Sequence, residues 1–308
     1  MYPLLLKTYS VSGEPALPAT SGVLQSGDTV YMLKSGDEAE NLIKNGKYIC
    51  KGLGEVMTDL FESAGREAGE LPVEIKLLNT TERQPVKVYP DDEYAHLHGE
   101  RAGKISLIYI ADCKKGAEMV YGLSRNVTPD ELKARVQNSS LAAVCNFVNV
   151  QKGDIFFIPP GVIFAIGGGI TALEITTNSK SEYIISDYGR LDENGRPRPL
   201  QIDRALDVMK TRKNNLRYGD TGDLTLYPFG TIRELGVCDI FKADLITMDG
   251  NLGIYEDENL ASLVILSGEL DMSYPDGTMH LKAGGSVLLP AKVRIKLSGR
   301  AEVIYTKI

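Results

Sequence analysis

The 308-residue chain has no tryptophan, only three histidines and only four cysteines. Cys50, Cys113, Cys145 and Cys238 are scattered and never form a Cys-x-x-Cys pair. This fits reduced structural thiols in a cytoplasm better than a disulfide or zinc framework. No stretch approaches the ~20 consecutive apolar residues that a membrane helix needs. The start Met1-Tyr2-Pro3-Leu4-Leu5-Leu6-Lys7 lacks the basic leader and long apolar core of a secretory signal, so a cytoplasmic protein without a membrane partner is expected. Excess positive charge is missing too. A formal net charge of -7 argues against a nucleic-acid partner, because phosphate-backbone affinity comes from clustered Lys and Arg, but it leaves room for a local basic pocket. What remains is an ordinary globular composition, 43% hydrophobic and 24% charged, in a chain long enough for two cores.

Short β-type runs dominate. Val86-Lys87-Val88-Tyr89, Ile105–Ile110, Leu173-Glu174-Ile175-Thr176 and Leu263-Val264-Ile265-Leu266 are bounded by Gly, Pro, Asp or Ser, the pattern of an antiparallel sandwich or barrel. Lys152-Gly153-Asp154-Ile155-Phe156-Phe157-Ile158-Pro159-Pro160 is echoed by Ala283-Gly284-Gly285-Ser286-Val287-Leu288-Leu289-Pro290-Ala291, 131 residues later (284 − 153). Self-similarity at that spacing implies a duplicated β-domain and not a solenoid of short repeats. Helices are few. Thr128-Pro129-Asp130-Glu131 is a capping box with proline at the first helical position, opening a helical insert over about 128–146. Glu55–Phe61 and Asp203–Met209 carry apolar residues at helical spacing. The expected fold is therefore all-β. Residues 1–66 form an N-terminal segment packing on a first barrel over 67–192; a linker with a short helix covers 193–227, and a second barrel covers 228–308. Asp192 to Pro199 reads as a polar turn, and Asn214-Asn215 and Gly219 to Asp223 as flexible linker points.

Gly153-Asp154, the apolar run Ile155–Ile158, and Pro159-Pro160-Gly161-Val162-Ile163-Phe164 resemble a cupin metal-binding segment whose last position would be histidine. Further blocks extend the likeness: Asn45-Gly46-Lys47-Tyr48, Val88-Tyr89-Pro90-Asp91-Asp92-Glu93-Tyr94-Ala95, Gly103-Lys104, Ile110-Ala111-Asp112-Cys113-Lys114, Tyr121-Gly122, Ala172-Leu173-Glu174 and Asp187-Tyr188-Gly189-Arg190-Leu191-Asp192. In order and spacing these resemble the short bacterial type I mannose-6-phosphate isomerases, two-cupin zinc enzymes that interconvert mannose 6-phosphate and fructose 6-phosphate. The likeness is weakest over the first ~45 residues, where the family's Trp-Gly-Gly element is missing.

The resemblance implies three zinc ligands, two His and a Glu, at positions that here hold Tyr89, Ser106 and Phe164. Zinc needs three or four N, O or S donors; Phe offers none, and neutral Ser and Tyr are poor ones. No zinc or other cofactor is therefore expected. The family's Thr-Tyr-Arg segment reads Glu182-Tyr183-Ile184, which puts Ile184 where an active-site arginine belongs, and the preceding Gln-Gln pair reads Thr176-Thr177. Lys104, Glu174 and Arg190 match the family. Aldose–ketose isomerisation needs a base beside a carbonyl and an electrophile for the developing oxyanion. Glu174 is the candidate base, and without a metal only the ammonium of Lys104 or Lys87 is left as electrophile, a poor replacement for a Lewis acid.

Several positions keep two readings. His96 and His98, with Glu100 or Asp92, form either a relocated metal site or an ordinary polar loop over Ala95–Arg101. Tyr89 and Phe164 either fill the barrel core or stack on a sugar ring. Lys87, Lys104 and Arg190 either converge on a phosphate or are solvated surface charges. Glu174 faces either the interior, where pairing with Lys104 would offset its burial, or water. His280 is a lone strand-edge histidine. Gly167-Gly168-Gly169 reads as a hairpin turn, since strands lie on both sides of it. The leading expectation is a zinc-free, catalytically impaired family member that binds a small sugar or sugar phosphate or acts through protein contacts. The alternatives are an active isomerase with a displaced metal, and a structural subunit in a homo-oligomer or beside an active paralogue.

Overall fold

The computed structural model describes residues 1–10, 27–36, 40–67, 69–192 and 194–308; Glu193 of the expected polar turn lies outside them. The chain divides into two compact units. One holds Met1–Leu78, Leu173–Ile175 and Thr221–Ile308; the other holds Asn79–Ala172 and Thr176–Asp220. The fold is all-β, as expected, and its strand orders are open paths, so the two jelly-roll-like cupin barrels read from sequence take the form of layered sheets.

In the unit of residues 79–172 and 176–220, a five-stranded antiparallel sheet runs Tyr183–Ser186, Val86–Val88, Phe164–Ile166, Glu118–Leu123, Cys145–Asn149. Alternation along these strands sends Val86, Val120, Ala165 and Ile185 to one face. There they pack with Leu132 and Val136 of the helix Pro129–Gln137 and with Ala205 of the helix Ile202–Val208. The capping box forms as read, with Thr128 Oγ1 accepting from the Glu131 amide at 3.1 Å. On the opposite face stands one cross-strand row, Tyr121, Phe164, Lys87 and Ile184. The strands Tyr218–Gly219, Ile155–Ile158 and Ser106–Cys113 form a second antiparallel group.

Three features of this unit differ from the sequence reading. Gly167–Gly169 is not a hairpin turn, because the strands Phe164–Ile166 and Ile170–Thr177 belong to different sheets. The glycines are needed because a Cβ at Gly167 would collide with the Glu118 carbonyl oxygen, and Gly169 has a φ of +76°. Part of the Ala95–Arg101 loop is helical. Asp92–Leu97 is a short helix whose N-cap Asp91 accepts from the Tyr94 amide, a capping signal the sequence carries in Asp91. The expected linker is also tied down, since Tyr218–Gly219 pairs with Ile155–Phe156 and Asn214 Nδ2 donates to the Tyr121 carbonyl at 2.9 Å.

In the other unit, three 14-residue strands, Lys242–Tyr255, Ala261–Tyr274 and Arg294–Lys307, carry most of the core. The opening strand Leu4–Lys7 lies antiparallel to Ser286–Leu289, whereas the sequence placed it on the first barrel. Leu4 and Leu6 alternate inward there and are buried. The duplication read at positions 153 and 284 recurs in hydrogen bonding. Gly153 and Gly284 donate to the carbonyls of Ile110 and Ile265, and Ile110 and Ile265 donate back to Asp154 and Gly285, all at 2.8–2.9 Å.

Candidate ligand site

Lys87 stands in the row on this second face of the sheet, opposite Phe164 on one side and Ile184 on the other. Tyr89 follows on the same chain segment. Its ring meets that of Phe164 edge-on, with centroids 5.0 Å apart, and its hydroxyl accepts from Ser106 Oγ at 3.3 Å. Tyr89, Ser106 and Phe164 are all fully buried. The three expected metal positions are therefore gathered, Tyr89 touching both of the others, with a hydrocarbon ring, a phenol and an alcohol where imidazoles and a carboxylate would be needed. Such a donor set does not fit zinc. Buried aromatic pairs of this geometry contribute packing energy, and Tyr121 extends the cluster by an edge-on contact with Phe156 at 5.2 Å.

Cationic charge lies over this aromatic floor. The Lys87 ammonium is 5.4 Å from the Phe164 ring centre, and the Lys104 ammonium is 5.3 Å from that of Tyr89. Both ammonium groups reach the same oxygen, Glu182 Oε2, each at 3.3 Å. Glu182 was not singled out from sequence. It holds the first position of the altered Thr-Tyr-Arg segment, and its link to two lysines 95 and 78 positions away is set by the fold. Ile184, the position at which the resemblance implies an arginine, sits next to Lys87 in register.

Arg190 is held elsewhere. Its guanidinium is bonded to Asp187 through Nε, at 2.9 Å, and Nη2, and lies 3.4 Å from Glu82. Glu174 is buried in the strand Ile170–Thr177 and counts with the unit of residues 1–78. In that unit, burial pushes the Lys76 ammonium down while the charges of Glu174 and Glu74 outweigh it, so its pKa is raised. Lys76 is a partner that sequence reasoning missed, although Glu74 and Lys76 alternate with Val73, Ile75 and Leu77 along one strand.

The alternative metal donors are engaged with protein groups. His96 Nε2 lies 2.8 Å from the Arg101 carbonyl, and His98 Nδ1 lies 2.8 Å from that of Tyr94, over whose ring it stacks. Glu100 accepts from Tyr183 and Arg204, and Asp92 from the Gly103 amide. His280 lies beside Asp271 and Glu269 on the strand Gly277–Lys282. Among the described residues no three His, Cys, Asp or Glu side chains gather as a metal site, and no helix is long and apolar enough to cross a membrane.

This fold and site define an all-β protein of the cupin class. Comparison with known proteins is more specific, although no family model matches the chain. Mannose-6-phosphate isomerase of Streptococcus mutans is 31% identical over 274 residues, spanning 86% of this chain and 83% of the relative. Mannose-6-phosphate isomerase ManA of Bacillus subtilis is 29% identical over 281 residues, spanning 87% and 85%. The solved mannose 6-phosphate isomerase of Bacillus subtilis superposes with a TM-score of 0.87 at 25% identity, covering all of both chains. The zinc-bound structure of a mannose 6-phosphate isomerase shares the fold at a TM-score of 0.69 and 13% identity, over 91% of this chain and 90% of that one. The chain belongs to the mannose-6-phosphate isomerase family.

Proposed function

We propose that this chain is a diverged, zinc-free member of the family, impaired in isomerase turnover, that binds a small sugar or sugar phosphate or acts through protein contacts in the cytoplasm. The observation that carries this reading is the buried cluster of Tyr89, Ser106 and Phe164. A divalent ion there would meet one phenol, one alcohol and carbon, and its desolvation would go uncompensated.

The remaining residues fit recognition better than turnover. Lys104 and Glu174 match positions of the family and are the candidate electrophile and base. Yet the ammonium groups of Lys87 and Lys104 are both engaged by Glu182, which lowers their capacity to polarise a substrate carbonyl. They remain suited to hydrogen-bonding sugar hydroxyls or a phosphate, for which charge-assisted contacts need no reorganisation of the aromatic floor. Cysteine usage without paired spacing supports the cytoplasmic assignment.

The test combines three measurements on protein purified without chelator. The expected results are less than one zinc per chain by elemental analysis, no enzymatic conversion of mannose 6-phosphate, and a rise in melting temperature with mannose or mannose 6-phosphate. One zinc per chain whose removal abolishes isomerase activity would overturn the reading.

A further inference from the structure

Away from the lysine pair, the unit of residues 79–172 and 176–220 holds a cavity of about 290 Å³, with Gly122 and Gly161 on one side and Lys210, Arg212, Lys213 and Asn214 on the other. Its charge is unusual for this chain. The protein carries a formal net charge of -7, but residues 210–217 include Lys210, Arg212, Lys213 and Arg217 and no acid. Elsewhere in the same unit Arg125, Arg135, Arg190, Arg198 and Arg204 each face a carboxylate. Lys210, Arg212 and Lys213 have no such partner among the described residues, and no carboxylate lines the cavity.

The cluster is fixed in place. The Lys210 amide donates to the Gly161 carbonyl at 2.8 Å, and the Val127 amide to the Thr211 carbonyl at 2.9 Å. The Lys213 amide donates to Asn126 Oδ1 at 2.8 Å, and the Asn214 amide to the Leu123 carbonyl at 2.9 Å. Glycine makes the close approach feasible. Gly122 and Gly161 have φ of +73° and +84°; a Cβ at Gly122 would collide with the Asn214 side chain, and one at Gly161 would lie 2.9 Å from Lys210 Cγ. Three like charges lining one cavity, whose other walls are Gly122, Gly161 and apolar side chains such as Leu123, Val162 and Ile163, repel one another unless an anion joins them, and a concave site focuses their field. The volume lies at the lower end for small-molecule sites. It suits one phosphate group with a small body, not a polymer backbone, which needs an extended basic track.

We propose that this cavity is an oxyanion site, separate from the Lys87–Lys104 pair, that takes the phosphate group of a small phosphorylated molecule through Lys210, Arg212 and Lys213. Arg212 offers the planar donor fork that suits phosphate oxygens. The test is calorimetric titration of the full chain at low ionic strength with inorganic phosphate, pyrophosphate and mannose 6-phosphate, with mannose as the uncharged control. The wild type and two variants are compared, Arg212→Gln with Lys213→Gln, and Lys133→Gln, an exposed lysine outside the cavity. Inorganic phosphate should bind the wild type and Lys133→Gln alike, and should weaken about tenfold or more in the double variant. The melting temperature should not change, because the substituted side chains are exposed. Tighter binding of pyrophosphate or of mannose 6-phosphate would identify which phosphate source the cavity prefers, and so support the site. Undiminished phosphate binding in the double variant, an equal loss of it in Lys133→Gln, or no binding up to about 20 mM would each overturn the assignment.

Discussion

Replacing Phe164 with alanine separates a core-filling ring from a ligand platform. The ring is fully buried, packs edge-on against Tyr89 at 5.0 Å, and stands between Tyr121 and Lys87 in the five-stranded sheet. Truncating such a ring removes its transfer free energy and leaves a cavity, a combined loss of about 3–5 kcal/mol. The lost aromatic pair lies within that range or adds about 1 kcal/mol to it. With a urea dependence of about 2 kcal/mol/M for a unit of this size, the midpoint should fall by roughly 1.5–2.5 M. Because the chain has no tryptophan, far-ultraviolet circular dichroism is the natural probe. Phe164→Leu keeps most of the volume and should cost about 1 kcal/mol. A midpoint shift below about 0.5 M for the alanine variant, accompanied by loss of sugar binding, would refute the packing argument and make the ring part of a ligand surface.

Other outcomes follow from the same geometry. Tyr89→His, Ser106→Glu and Phe164→His together should restore uptake of one zinc per chain by elemental analysis, since the three positions already lie together; a folded triple variant without zinc would show that the backbone does not present them as a metal site. Glu182→Gln removes the carboxylate shared by Lys87 and Lys104. As that carboxylate is a third exposed, the loss should be about 1–2 kcal/mol in urea titration, and no loss at low salt would refute the coupling. Hydrogen bonds from Arg125 and then Arg135 lower the Glu131 carboxyl from its ordinary 4.5 to about 2. Its folded pKa lies below the unfolded one, so its contribution is complete above about pH 4.5 and fades as pH falls towards 2. Amide protection factors in Pro129–Gln137, corrected for the intrinsic pH dependence of exchange, should fall across that window, and Glu131→Gln should remove the dependence.

Much of the architecture was legible because it is written locally. The capping box at Thr128, the strands at Val86 and Ile105, and the echo between Gly153 and Gly284 depend on neighbouring residues and reappear in the hydrogen bonding. The metal positions were legible through motif spacing, and the fold brings Tyr89, Ser106 and Phe164 into contact. Features set by distant pairing were not. Glu182 matters only because its side chain reaches Lys87, 95 positions earlier, and nothing in the local pattern marks that. Gly167–Gly169 looked like a hairpin because strands flank it, whereas its role depends on which sheet each strand joins. The placement of Leu4–Lys7 failed for the same reason, since alternating leucines fit any sheet edge.

That opening strand has a consequence for biosynthesis. One edge of this strand can pair early, Leu6 with Ile43, but on the other edge Leu4 and Leu5 find their partners at Leu288 and Val287, so that edge must stay unpaired until the ribosome has passed position 288. At roughly 5–20 residues per second the wait is roughly 15–60 s, long enough for a nascent leucine-rich segment to meet chaperones or other chains before its own sheet can shelter it.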